Sequence, residues 1–102
     1  MFSVVYISSR DMNEARDIAA ALVSEKLVAC ANCWPITSVF RWEGVVEHGP
    51  EAAMICKTRT DLVPGVIKRV KELHSYEVPC ITSWKIDTGS AGYLEWVGRE
   101  TR

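Results

Sequence analysis

The residues from Val28 to Arg59 predict one long β-hairpin, which limits what the rest of the chain can form. Its tip falls at Glu43-Gly44, because Gly44 tolerates the positive φ of a tight turn. Each arm runs roughly 15 residues, or about 50 Å when extended at ~3.3 Å per residue. A single domain of this size has a radius of gyration near ~13 Å and is too small to cover such a hairpin. Another copy of the same chain is the simplest partner that could cover the hairpin.

Prolines interrupt both arms of this hairpin. Pro35 lies in the first arm, and Pro50 ends a His48-Gly49-Pro50 run in the second. Proline cannot donate a hydrogen bond to a sheet, so these positions are bulges or edge positions rather than strand ends.

The remaining segments predict two more strands, two helices and a short terminal helix. The apolar run 2–8 suits a strand buried on both faces. A capping-box spacing starts one helix at Asp11, and Asp61 is predicted to cap the second. The run 80–86 alternates weakly as a strand, and Ser90 can cap the last helix. The order is therefore β-α-β-β-α-β plus a helix.

This order predicts one α+β domain over residues 1–102, with the ferredoxin-like split-βαβ fold and both helices on one face of an antiparallel sheet. Right-handed crossovers place the first and third strands in the centre and a long hairpin arm at an edge. A long apolar edge needs a partner. Trp34, Phe40, Trp42 and Trp84 are therefore candidate interface residues, the alternative being that some pack under the helices.

Composition and charge exclude several classes of partner. The net charge of −1 and the pI of 6.1 give no general electrostatic case for binding nucleic acid or an anionic membrane. No apolar run approaches the ~20 residues that span a bilayer. The start of the chain lacks the pattern of an export signal, so we expect a reducing cytoplasm and four free cysteines.

The Cys30-Ala-Asn-Cys33 motif resembles a metal or redox motif, but its predicted setting does not suit that chemistry. An odd spacing on an extended strand sends the two side chains to opposite faces, with Cα atoms roughly 10 Å apart. A disulfide needs Cα atoms within about 7 Å. Small buried thiols are the favoured interpretation.

Two further groups of residues are candidates for binding. His74 closes the second helix and Cys80 follows six residues later; imidazole and thiolate suit copper or zinc. The alternative is that His74 only caps the helix. Lys57 and Arg59 share a strand face, with Arg41 on the facing arm, so the three cations could hold a phosphate or carboxylate or could simply protect an edge. A nucleophile with an ordered base is not visible.

Five segments spread over the chain resemble the CutA family of divalent-cation tolerance proteins. They are LVACAN at 27–32, ITSVFRWEG at 36–44, MICKTR at 54–59, ELHSYEVPCI at 72–81 and YLEWV at 93–97. The resemblance implies a homotrimer of ferredoxin-like subunits joined through long hairpins and similar in architecture to PII signalling proteins. It further implies a bacterial cytoplasmic role in tolerance to divalent cations, copper above all, and it does not imply an enzyme.

The resemblance also implies a polar pocket in the cleft between subunits. Arg41, Trp42, Lys57 and Tyr76 match the family's motifs as ligand-binding residues, and His74 and Cys80 are the predicted metal ligands. The family segment reads more like HPYEVPE, so Cys80 replaces an acid and would favour softer ions such as Cu(I) or Zn(II). A metal ion or a small anionic ligand is therefore the expected partner.

Two alternatives remain open. A copper metallochaperone shares the ferredoxin-like design, but it presents its CxxC in the loop after the first strand, where this chain has Ser8-Ser9-Arg10-Asp11. A small enzyme could use His74 as acid or base in a cleft between subunits.

Overall fold

The computed structural model describes residues 1–102, and its elements follow the predicted order. These elements are β1 (Phe2–Ser9), α1 (Met12–Ser24), β2 (Cys30–Trp42), β3 (Val45–Arg59), α2 (Val63–Leu73), β4 (Ile81–Lys85) and α3 (Ala91–Glu100), with a single 3₁₀ turn at Thr60–Leu62. None of the helices is long and apolar enough to cross a membrane.

β2 and β3 form the predicted hairpin. Glu43 and Gly44 make the turn at positive φ, +49° and +81°. Pairing runs in one unbroken register from Trp42 opposite Val45 to Cys30 opposite Lys57, so the strands contain no bulge. The prolines therefore occupy edge positions: β2 is an outer strand, and Pro50 lies in the part of β3 that β1 does not reach.

The strands form one antiparallel sheet in the order β2-β3-β1-β4, which confirms that the first and third strands are central. α1 and α2 cover one face through a stripe of apolar residues. The core beneath them contains Val5, Ile7, Ile18, Leu22, Met54, Cys56, Val66 and Val70. β1 is buried on alternate residues only, so the predicted burial of both its faces is not reached within one chain, because these helices cover only one side.

The helix starts are only partly as predicted. The Asp11 carboxylate caps α1 by accepting a bond from the Glu14 amide at 2.9 Å. Asp61 does not cap α2. It lies in the 3₁₀ turn, where its carboxylate accepts hydrogen bonds from Arg59, and α2 begins after Leu62 without a side-chain cap.

The opposite side of the sheet, called here the outer face, is largely open. α3 lies over part of it, where Tyr93 Oη comes within 3.2 Å of Cys30 Sγ. The aromatic residues predicted for an interface share this face and are 38 to 50% exposed: Trp34, Phe40, Trp42 and Trp84. None of them packs under α1 or α2, which favours the interface reading.

Candidate functional site

The loop after α2 is held by the imidazole of His74. Its Nε2 lies 2.7 Å from the backbone oxygen of Ser8, and its Nδ1 lies 3.1 Å from the backbone N–H of Tyr76. A carbonyl can only accept and a backbone N–H can only donate, so Nε2 carries the proton and Nδ1 is the acceptor. Both ring nitrogens are therefore used within the chain.

Glu14 ties the same loop to the start of α1. Glu14 is 7% exposed. One of its carboxylate oxygens accepts a hydrogen bond from the backbone N–H of Arg10 at 2.9 Å, and the other accepts one from the backbone N–H of Ser75 at 2.8 Å. Burial alone would raise the pKa of Glu14, but these hydrogen bonds outweigh it and hold the pKa below its ordinary value. Glu14 is thus a buried anion that fixes the loop.

Tyr76 reaches from this loop to β3. Its hydroxyl donates a 2.5 Å hydrogen bond to Glu51, and its ring centroid lies 4.9 Å from that of His74. Burial, followed by the hydrogen bond and charge of Glu51, raises the pKa of Tyr76 well above its ordinary value of 10. The phenol therefore stays protonated and keeps donating to Glu51 at neutral pH.

A cleft of about 150 Å³ opens beside this hydrogen bond. We call it the Tyr76 cleft; its lining consists of Phe40, Glu47, His48, Gly49, Pro50, Glu51 and Tyr76. It follows the part of β3 that lies beyond the end of β1, where the backbone groups that point away from β2 have no strand partner. Two carboxylates and two aromatic rings thus surround a small opening.

The predicted ligand residues do not converge within one chain. Tyr76 lines the cleft, whereas Arg41 donates to the oxygen of Gly44 at the hairpin tip, with the neighbouring Trp42 on the outer face. Lys57 donates to Asn32 at the other end of the hairpin. It lies eleven residues along β3 from Val46, the residue paired with Arg41, which corresponds to about 36 Å between the two ends. Arg41 and Lys57 therefore do not meet within one chain.

The two predicted metal ligands are also differently placed. Both nitrogens of His74 are engaged, while Cys80 is exposed at the start of β4. Burial, then the charges of Cys80 and Glu51, raises the pKa of Tyr6. No group of three or more His, Cys, Asp or Glu side chains is arranged to hold a metal ion. This pair of predicted ligands does not by itself fit a bound metal within one chain.

The cysteine pair behaves as the alternation predicted. Cys30 lies on the outer face against Tyr93, whereas Cys33 packs against the core. Burial raises the pKa of the Cys33 thiol, and it raises the pKa of Cys56 to about 12. All four cysteines are free thiols, and only Cys56 is buried; Cys30 and Cys33 are each partly exposed, so the predicted burial of this pair is reached only in part.

Sequence reasoning missed Glu14 and Glu51 as parts of this site. The spacing from Asp11 to Glu14 marked a helix start, but nothing marked the bond to Ser75, 61 residues away. Glu51 had no local signal at all, because its partner Tyr76 is 25 residues further along.

A four-stranded antiparallel sheet in this order, with two helices on one face, defines a ferredoxin-like subunit, here with a hairpin that outreaches the rest of the fold. A family model described as "CutA1 divalent ion tolerance protein" matches residues 3–100. The chain therefore belongs to the CutA1 family.

Individual relatives agree with this assignment. The divalent-cation tolerance protein CutA of Thermus thermophilus is 42% identical over 102 residues, with 99% of each chain covered. That of Archaeoglobus fulgidus is 42% identical over 97 residues, with 95% of each covered. A solved structure of a periplasmic divalent cation tolerance protein CutA from Archaeoglobus fulgidus superposes with a TM-score of 0.96 at 41% identity, covering 98% of both chains.

Proposed function

We propose that this chain acts in divalent-cation tolerance as a homotrimer that binds a cation at the cleft between its subunits, and that it is not a catalyst. The observation that carries the proposal is the open outer face, with the acidic Tyr76 cleft beside it. Four exposed aromatic side chains on one face of a sheet are typical of a surface that another protein covers. β2 and β4 are moreover both edge strands with unpaired backbone groups.

A trimer also explains why one chain lacks a complete site. The predicted ligand residues lie at opposite ends of a hairpin, so they could meet only if the tip of one subunit reaches the base of another. Such a closed ring, with ligand clefts between subunits, would resemble PII signalling proteins and fits a signalling response to the bound ion.

Copper or another divalent cation is the proposed ligand, with donors from two subunits. Cys80 offers an exposed thiol suited to a soft ion. His74 could join only after its bond to Ser8 breaks. Glu47 and Glu51 line the Tyr76 cleft, and their negative charges argue against a small anionic ligand as its occupant.

The proposed compartment is the cytoplasm, because four unpaired cysteines with one exposed thiol suit reducing conditions. The Archaeoglobus structure is described as periplasmic, so fractionation of the native host decides this point for the present chain.

The alternatives have less support. A metallochaperone needs both CxxC thiols at one point, but Cys30 and Cys33 lie on opposite faces. An enzyme using His74 needs a free ring nitrogen, and both are engaged.

Native mass spectrometry of the reduced protein, titrated with Cu(I), Cu(II) and Zn(II), tests the proposal. We expect a trimer that takes up about three ions, one per cleft, and loses uptake in Cys80→Ser. His74→Ala shows whether the imidazole contributes. A monomer would contradict the assembly, and a trimer without metal uptake would contradict the proposed ligand.

A further inference from the structure

We propose that the sulfur atoms of Cys33, Met54 and Cys56, on the core side of β2 and β3, form a binding site for the soft monovalent ion Cu(I). We call these three residues the sulfur triad; they belong to the side of the sheet that α1 and α2 cover, not to the outer face. The site is distinct from the clefts of the proposed function. It does not depend on that function, because all three ligands come from one chain.

The register of the hairpin brings the three side chains to one face. Cys33 pairs directly with Met54. Cys56 follows two residues later on β3 and pairs with Ala31, so it lies on the diagonal from Cys33. Directly opposed Cβ atoms are about 4.5–5.5 Å apart, and diagonal neighbours about 7–8 Å, with their Cβ atoms somewhat closer. The diagonal exceeds the usual span of a disulfide, but a metal ion can bridge it.

Packing in the core gives the sulfur atoms the spacing that a three-coordinate ion needs. Metal–thiolate bonds of about 2.3 Å place three sulfurs of a trigonal site about 4 Å apart. Ordinary contacts between packed side chains are about 3.5–4.0 Å long. Met54 is unbranched and has three rotatable bonds, so its thioether can turn toward the two thiols. The ion therefore fits among side chains that already pack together, with little enlargement of the core.

The donor set and its burial select the ion. Thiolate and thioether sulfur suits Cu(I), whereas zinc sites take four ligands and calcium or magnesium needs oxygen donors. Met54 and Cys56 are 0% exposed and Cys33 is only partly exposed, so water has little access to complete a larger coordination shell. The thioether is the third donor, since His, Cys, Asp and Glu alone form no group of three.

Binding exchanges two thiol protons for one ion. Burial raises the pKa of Cys33, against the opposing charge of Arg16, and raises that of Cys56 to about 12. Both thiols are therefore protonated before the ion arrives. Their protons pass to solvent as two thiolates and the Met54 thioether bond to Cu(I), whose oxidation state does not change.

The rate of uptake separates this site from the clefts. Because Met54 and Cys56 are 0% exposed, an ion reaches them only during a local opening of the chain, so uptake is slow. The exposed thiol of Cys80 is open to rapid uptake. A slow phase that survives Cys80→Ser is therefore the signature of the sulfur triad.

The test adds Cu(I), supplied as its acetonitrile complex under nitrogen, to the reduced full-length protein carrying Cys80→Ser. Native mass spectrometry counts the ions, and ultraviolet thiolate-to-copper absorption follows the rate. We expect slow uptake of about one ion per chain, and X-ray absorption with only sulfur neighbours around the copper.

Three further substitutions in the same background identify the ligands. Met54→Leu keeps the volume of the side chain and removes its sulfur, so we expect about tenfold weaker binding with little loss of stability in urea. Cys33→Ser, at a partly exposed position, is expected to abolish the slow uptake. The matched control is Cys30→Ser, on the same strand but on the outer face against Tyr93, and it is expected to leave the uptake unchanged.

Absence of the slow phase in Cys80→Ser would overturn the proposal. Unaltered affinity in Met54→Leu, or equal losses in Cys30→Ser and Cys33→Ser, would also overturn it. Failure of the proposed function is a different result. Slow uptake without a rapid phase in the wild type supports the sulfur triad and contradicts the cleft ligand, whereas rapid uptake alone contradicts the triad. A monomer with slow uptake contradicts only the assembly.

Discussion

Replacing Glu14 by Gln tests whether one buried carboxylate holds the loop that carries His74 and Tyr76. Glu14 accepts one backbone bond from Arg10 and one from Ser75, at 2.9 and 2.8 Å. A glutamine keeps the shape of the side chain but has a single acceptor oxygen. One of the two N–H groups must then face an NH₂ group and lose its bond.

The size of the effect follows from these contacts. A hydrogen bond to a charged group contributes about 1.5–3 kcal/mol, and solvent does not screen it strongly here because Glu14 is 7% exposed. We therefore expect Glu14→Gln to lower the free energy of unfolding by about 2 kcal/mol. If opening of the loop is local, the amide of Ser75 is expected to exchange its hydrogen about thirtyfold faster.

Urea unfolding at one fixed protein concentration, together with amide hydrogen exchange, measures both quantities. Glu72→Gln is the matched control, since Glu72 is a half-exposed carboxylate paired with Arg69 and is expected to change stability by less than about 0.5 kcal/mol. Equal losses in the two variants, or unchanged exchange at Ser75, would refute the role of Glu14.

Acid is expected to act on the same group. Because hydrogen bonding in the folded state holds the pKa of Glu14 below its ordinary value of 4.5, its contribution is complete above that pH. The contribution is lost as the pH falls through the lower folded value. The expected result, once each exchange rate is divided by the intrinsic amide rate at the same pH, is a loss of protection at Ser75 in the wild type but not in Glu14→Gln as the pH falls through the folded pKa of Glu14.

Three further predictions concern assembly, the core and the thiols. Trp42→Glu is expected to shift the protein from trimer toward monomer or aggregate in light scattering, and an unchanged trimer mass would contradict the placement of Trp42 at the interface. Ser9→Ala removes a buried hydroxyl without a hydrogen-bond partner, so urea unfolding should show no loss of stability beyond about 1 kcal/mol; a larger loss would reveal a partner. A thiol reagent is expected to label exposed Cys80 first and to reach Cys56, whose pKa is about 12, only on unfolding; early labelling of Cys56 would contradict its burial.

Much of the fold could be predicted because its signals are local. Gly44 marked the turn, the two-residue period set the faces of β2 and β3, and the order of elements limited the topology to a few arrangements. The separation of Cys30 and Cys33 followed from the same period. Asp61 was misjudged as a cap because Arg59, two residues earlier, holds its carboxylate in a 3₁₀ turn.

The candidate site was predicted only in part, because its contacts join distant segments. The sequence pointed to His74 and Tyr76 as functional residues, but it did not show that Ser8 and the Tyr76 amide occupy the imidazole. Local pattern likewise grouped Arg41 with Lys57, whereas the straight register of the hairpin puts them about 36 Å apart.

The sequence by itself determined the elements, their order and the family, since periodicity, turn residues and strand length are properties of neighbouring residues. Only the tertiary structure decided which side chains meet. The bonds from Glu14 to Ser75 and from Tyr76 to Glu51 span 61 and 25 residues. Packing of α1, α2 and β3 around β1 brings such groups together, and no local pattern encodes that packing.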